Sequence, residues 1–257
     1  MKLLQPFPDR PHFPFLLYLP GLDGTGQLFY RQAASLSTCF NLRYLSLPPH
    51  PLTDWPLLSQ QVLDLWYEEQ SGAPLVLCGE SFGGCLALSL ASQAVSQVEQ
   101  LILVNPASSF RLAPWLSWGI PLAPWLPDLL YSLGTWAFLP WLAQLERLTA
   151  YDQQRLRQAM ATLSPAMVSQ RLALLQTFAL SAFQLSQITQ PTLILASEGD
   201  RLLPSVQEAA FLQKHLPQAV IHPLPDSGHA CLLETSLDLG AILRRYDLLP
   251  KVLSGVG

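Results

Sequence analysis

Five residues, Gly79-Glu80-Ser81-Phe82-Gly83, place a hydroxyl between two glycines, at the point where an apolar run, PLVLCG (74–79), gives way to an apolar helical pattern (82–95). A G-x-S-x-G pattern at a strand-to-helix turn holds its serine in a strained backbone conformation. The glycines remove side chains that would collide with the neighbouring strand and helix. Ser81 is therefore expected at the carboxyl edge of a sheet, in the place of a nucleophile. A serine hydroxyl attacks a carbonyl only when a base takes its proton.

The chain has five histidines. His12 and His50 adjoin prolines in early loops, His215 ends a helix and His222 lies within a strand. His229, in PDSGHACLLE, follows the last strand in a Gly-containing loop and is the expected base. The base needs an acid to fix its tautomer and stabilise the imidazolium. ASEGDRLLP (196–204) offers Glu198 and Asp200. Asp200 is preferred, because the Gly199 turn and a helix starting near Pro204 would hold its short side chain at the sheet edge. Glu198 and then Asp226 are the alternatives.

Acyl chemistry also needs donors aimed at the developing oxyanion. Phe82, directly after the nucleophile at a helix N-terminus, is expected to supply one backbone N–H, and Leu22, in LPGLDGTG (19–26), the other. Asp23 in the same loop reads as a turn-stabilising carboxylate. Such a mechanism requires no metal and no organic cofactor.

These residues need a scaffold, and short apolar runs alternating with helical patterns describe parallel βαβ units. The expected strands are 13–19, 42–47, 74–79, 100–105, 191–197 and 219–224, about six in all, and their continuous apolarity fits a sheet covered on both faces. Helices are expected near 27–37, 56–70 (capped by Thr53), 82–95, 205–216 and 237–247. From Pro106 to about Gln190 only helical stretches appear, and five of the seven tryptophans fall there. The reading is an α/β core formed by 1–105 and 191–257, with a helical lid insertion at 106–190. Trp115, Trp118 and Trp125, with Leu28 and Phe29, are expected to line an apolar tunnel for an acyl or isoprenoid chain.

Bulk properties narrow the partners. A chain of 257 residues, half of them hydrophobic, can bury a sizeable core in one domain. The net charge is −4, and Arg244 with Arg245 forms the only tight basic pair, which argues against nucleic acid. Cys39, Cys78, Cys85 and Cys231 show no metal spacing and read as free thiols of a reducing compartment. Prolines 6, 8 and 11 interrupt any secretory leader. The charge-free stretches 112–127 and 129–145 fall short of a span and suggest a face able to lie against lipid. A cytoplasmic protein, peripheral to a membrane surface, is the expectation.

With these residues placed, the chain resembles an α/β hydrolase over nearly its whole length, and the order Ser81, Asp200, His229 is that of the family's triad. LYLPGLDGTG (17–26), GESFGGCLAL (79–88) and LILVNPASSF (101–110) resemble the hydrolase-like part of the phytyl ester synthase and diacylglycerol acyltransferase family of chloroplasts and cyanobacteria. That resemblance implies acyl transfer to phytol or another lipid alcohol, with Gly21 to Phe29 as the oxyanion loop. Longer members carry a second domain marked by His-x4-Asp, and no histidine here has Asp five residues on. Hydrolysis of lipophilic esters or thioesters is therefore expected ahead of transfer. A non-catalytic lipid carrier or receptor on the same fold is the reading from outside enzymology.

Overall fold

The computed structural model describes residues 1–49, 52, 54–69, 74–94, 96–110 and 138–250. Their centre is a seven-stranded sheet in the order β1-β3-β2-β4-β5-β6-β7. The strands are β1 (Lys2–Leu4), β2 (Phe15–Leu19), β3 (Asn41–Ser46), β4 (Leu75–Glu80), β5 (Val98–Val104), β6 (Thr192–Ser197) and β7 (Ala219–Leu224). All pairs are parallel except β1 with β3. β1 is the strand absent from the sequence reading: it has three residues, pairs at one edge, and is too short to show an alternation.

Period-two geometry sends the apolar strand residues to opposite faces, and both faces are covered. Leu17, Leu19, Leu77, Leu101 and Leu103 pack into the larger core with α2 (Trp55–Glu69), α3 (Phe82–Gln93) and part of the 138–190 segment. Leu16, Tyr18, Val76, Cys78, Ile102 and Leu193 face the other way, onto α1 (Tyr30–Leu36) and α8 (Leu239–Arg245). All four cysteines are free; three are buried and Cys39 is half-buried.

Between β5 and β6 the described residues contain helix at 138–142, then α4 (Ala150–Ala161), α5 (Pro165–Thr177) and α6 (Ala182–Ser186), followed after β6 by α7 (Ser205–His215). Thr149, Ser164 and Ser181 each accept a backbone N–H at the start of α4, α5 and α6, as N-cap hydroxyls do. Thr53 lies outside the described residues, and Asp54 Oδ1 accepts the Leu57 N–H at 2.8 Å at the start of α2. Trp115, Trp118 and Trp125 also lie outside the described residues.

Side-chain hydrogen bonds tie the inserted helices to the core. Asp152 in α4 receives Arg31 from α1 through two hydrogen bonds, 2.8 and 2.7 Å, together with the Tyr30 hydroxyl. In α5, the Leu174 carbonyl accepts the Trp55 indole N–H at 2.9 Å. Among the described residues no helix is long and apolar enough to cross a membrane.

Candidate active site

At the end of β4 the backbone turns sharply, and Ser81 adopts φ 52°, ψ −112°, a conformation that L-residues rarely hold. The turn is possible only because its flanks are bare. A β-carbon at Gly79 would sit 2.3 Å from the Gly83 carbonyl oxygen, and one at Gly83 would sit 2.0 Å from that of Leu19. Backbone bonds hold the strain in place: Ser81 N–H donates to Val104 at 2.9 Å, and the Ser81 carbonyl accepts from Gly84 and Ala107.

His229 reaches Ser81 from the loop after β7. Its Nε2 lies 2.9 Å from Ser81 Oγ, and its Nδ1 lies 2.7 Å from Asp200 Oδ2. With the proton on Nδ1 donated to Asp200, Nε2 is free to accept the serine hydroxyl. Both ring nitrogens are thus engaged, which leaves none for Glu198 or Asp226. Those two acids line a polar hollow with Gln144, Arg147 and Arg201. Asp200 is itself oriented by the Leu202 and Leu203 N–H groups at 2.8 and 3.0 Å and by the Ser205 hydroxyl.

The electrostatics follow from this arrangement. Burial alone would raise the Asp200 carboxyl, but the His229 charge and hydrogen bond, with help from Ser205 and Leu203, bring it below the usual range. Burial alone would lower His229, and Asp200, with a smaller contribution from Glu80, raises it above its ordinary value. Asp200 therefore stays ionised, and His229 is made a stronger base than free imidazole.

Phe82 opens α3, where the first N–H groups have no partner within the helix and the helix dipole favours negative charge. Leu22 lies in the Gly21–Gly24 turn, whose first residue adjoins Ser81: a β-carbon at Gly21 would fall 3.8 Å from that of Ser81. Asp23 closes the turn, since its Oδ2 accepts the Thr25 N–H at 2.9 Å and the Thr25 hydroxyl. Burial raises its carboxyl above the usual range.

The remaining expected contacts separate. Leu28 packs with Leu139, Ala143, Leu148, Ala230 and Leu233, joining the 21–29 loop to the helices between β5 and β6 and to the His229 loop. Phe29 is completely buried, stacked on Tyr18 at 4.2 Å between ring centres. The structure places it in the core behind the loop, and the sequence expectation of a tunnel wall is corrected there: at the end of the short helix 27–29 its ring packs on the sheet residue Tyr18.

Several supports were not singled out in the sequence. Asn105, at φ 43°, donates its side-chain amide to the His229 carbonyl at 2.8 Å and to Ser197 Oγ at 2.9 Å, and its Oδ1 accepts the Ser197 N–H. The Asn-Pro step at a strand end was the available signal, because Asn tolerates left-handed backbone. Glu234 folds the same loop, accepting from Ser227 Oγ and Gly228 N, both at 2.8 Å, and from Arg147. Glu80 accepts the Tyr18 hydroxyl beneath the turn, and its carboxyl is pushed up to about 7, first by burial and then by the Asp23 charge.

This arrangement is a hydrogen-bonded acid, base and hydroxyl beside two candidate oxyanion donors. The family described as Hydrolase_4, serine aminopeptidase S33, matches residues 59–236, more than half of the chain. Phytyl ester synthase 1 of Arabidopsis thaliana chloroplasts is 31% identical over 93% of the chain and 39% of its own length. The chain thus spans about two fifths of the length of that relative, and 37% of phytyl ester synthase 2. The pimeloyl-[acyl-carrier protein] methyl ester esterase of Nitrosomonas europaea is 32% identical over 77% of the chain and 82% of its length. Among solved structures, MenH from S. aureus superposes with a TM-score of 0.78 at 19% identity, over 95% of this chain and 96% of that one.

Proposed function

The chain belongs to the Hydrolase_4 family of α/β hydrolases, with an esterase-type relationship, and from that premise we propose that Ser81 forms an acyl-enzyme with lipophilic esters or thioesters. The observation that carries this reading is the unbroken hydrogen-bonded line from Asp200 through His229 to Ser81 Oγ.

The steps follow from the geometry. His229 Nε2 takes the Ser81 proton as Oγ attacks the substrate carbonyl. The resulting oxyanion is met by the N–H groups of Phe82 and Leu22, donors fixed before the charge develops. The imidazolium, stabilised by ionised Asp200, then gives its proton to the leaving alkoxide or thiolate. Water next attacks the acyl-enzyme, with His229 as base again, and the acid leaves.

Support for a long acyl or isoprenoid chain comes from the Leu/Trp/Pro-rich composition of 106–190, which would act as a lid, and from the chloroplastic relatives. The same composition favours peripheral contact with a lipid surface. Trp115, Trp118 and Trp125 would line the chain-binding side together with Leu28.

A second reading, transfer of the acyl group to a lipid alcohol, is favoured by the 31% identity to phytyl ester synthase 1. Intact-mass spectrometry of enzyme quenched during turnover of a long-chain thioester tests the shared intermediate. One acyl adduct, absent from Ser81→Ala, is the expected result. Turnover without that adduct would overturn the nucleophile assignment, and absence of turnover on any ester would leave the carrier reading.

A further inference from the structure

The loop that carries Leu22 is held from one side by a single buried cation. Arg171 projects from α5 and is 3% exposed. Its Nη1 donates to the Leu22 carbonyl at 2.5 Å, and its Nη2 donates to the Pro48 carbonyl at 3.3 Å. The guanidinium lies flat against Gly24, at φ 67°, where a β-carbon would be 2.4 Å from Nη1. No side chain other than hydrogen could stand there without moving the cation.

Peptide geometry carries that contact to the site. Gly24 N–H donates to the Gly21 carbonyl at 3.0 Å, and Leu47 N–H donates to Gly24 at 2.8 Å, so the turn is closed and tied to the strand end beside it. A trans peptide is planar, so holding the Gly21 carbonyl fixes the Leu22 N–H on the opposite side of the same plane. Arg171 fixes the next plane through the Leu22 carbonyl and supports Gly24 from outside. Asp23, beside it, supplies a favourable charge that offsets part of the desolvation lowering Arg171.

The same helix also supports the other donor. Leu174, one turn further along α5, accepts the Trp55 indole, and the Trp55 ring packs on Phe82 at 4.9 Å and on Phe178 at 5.0 Å. Both halves of the oxyanion site therefore rest on one inserted helix.

We propose that Arg171 is a positioning residue that holds the Leu22 N–H in its oxyanion-binding direction, so that the placement of α5 governs transition-state stabilisation at Ser81. This rests on the serine-esterase reading and on Leu22 as the second donor. Its consequence is specific. An oxyanion donor acts on the transition state, so its loss lowers kcat and leaves KM nearly unchanged. It also matters less for a thionoester, whose developing charge sits on sulfur, a weaker acceptor than oxygen.

The test compares wild type, Arg171→Met and Arg171→Lys on matched oxo- and thionoesters, with thermal melts of each. For Arg171→Met the expected result is a loss of about tenfold to a hundredfold in kcat on the oxoester, with a several-fold smaller loss on the thionoester. Lysine keeps one donor and should fall between. If both variants kept the wild-type ratio of oxo to thiono rates, Arg171 would be only structural. Should Arg171→Met fail to fold, the lysine variant decides, and a wild-type ratio there overturns the clamp. An inert wild type would instead sink the esterase reading, and the clamp with it; wild-type turnover with an unaltered ratio sinks the clamp alone.

Discussion

Asn105 donates to the His229 carbonyl at 2.8 Å while its own oxygen accepts the Ser197 N–H at 2.9 Å. One buried amide thus joins the end of β5 to β6 and to the loop that carries the base. Asn105→Asp keeps the shape and removes the donor, setting a carboxylate oxygen against the His229 carbonyl. Leaving buried polar groups unpaired costs about 1–3 kcal/mol, and more when one carries charge. The expected outcome is a stability loss of at least that size with kcat down tenfold or more, read from urea unfolding and ester turnover. A variant with wild-type values in both would show that Glu234 alone holds the loop.

The triad gives a pH prediction with a definite sign. His229 acts as base only when neutral, so kcat/KM should rise with pH through an apparent pKa above 6.5. Asp200 supplies the charge that lifts it against burial. Asp200→Asn should therefore move the apparent pKa downward and lower the rate by several powers of ten, while Glu198→Gln stays close to wild type. Ser81→Ala should abolish turnover with little change in melting temperature. A pH profile for Asp200→Asn shifted upward, or a severe Glu198→Gln, would reassign the acid.

Glu80 contributes to stability with the opposite pH sense from a salt-bridged acid. Its carboxyl titrates at about 7 in the folded chain against 4.5 for the ordinary group, with burial the leading cause. Between those values the folded state binds a proton that the unfolded state has lost. Stability is thus fully present below about pH 4.5 and falls as pH rises through 7. The full difference is at most about 3 to 4 kcal/mol, from the rise of 4.5 to about 7 at 1.36 kcal/mol per pH unit. Glu80→Gln retains an acceptor for Tyr18 and should flatten this slope, measured as urea midpoints at pH 5 and pH 8. An unchanged slope would place the loss elsewhere.

Much of this was legible in the sequence, for reasons that can be stated residue by residue. The central strands β2, β4 and β6 are apolar runs because both sheet faces are covered there, and Ser81, Asp200 and His229 each follow a strand at the edge where such sheets hold their chemistry. The three-residue β1 gave no period to read. Arg171 was invisible for another reason: its partners are carbonyls of Leu22 and Pro48, and a contact between backbone and a side chain 149 positions away leaves no local pattern. Phe29 was misplaced because an aromatic residue near a reactive loop serves a core as readily as a pocket.

In the proposed mechanism water and alcohol compete for one acyl-enzyme, so the ratio of free acid to new ester reports which acceptor is held near Ser81. Bulk water is present at high concentration. An alcohol overtakes it only if binding gives a large effective molarity or if the site is dry. Ser81 is 9% exposed and His229 5%, so the reacting atoms already lie below the surface, and the inserted helices pack directly on the loops that hold them. Against this, the chain spans 39% of the length of phytyl ester synthase 1, so that relative's synthase activity is not carried over whole, and water at bulk concentration is the expected winner. The expected outcome with a labelled acyl donor is mainly free acid, some ester with phytol, and little with ethanol at equal concentration. Dominant phytyl ester at low micromolar phytol would make the chain a transferase. Equal transfer to phytol and ethanol would mean that no acceptor pocket stands beside the acyl-enzyme.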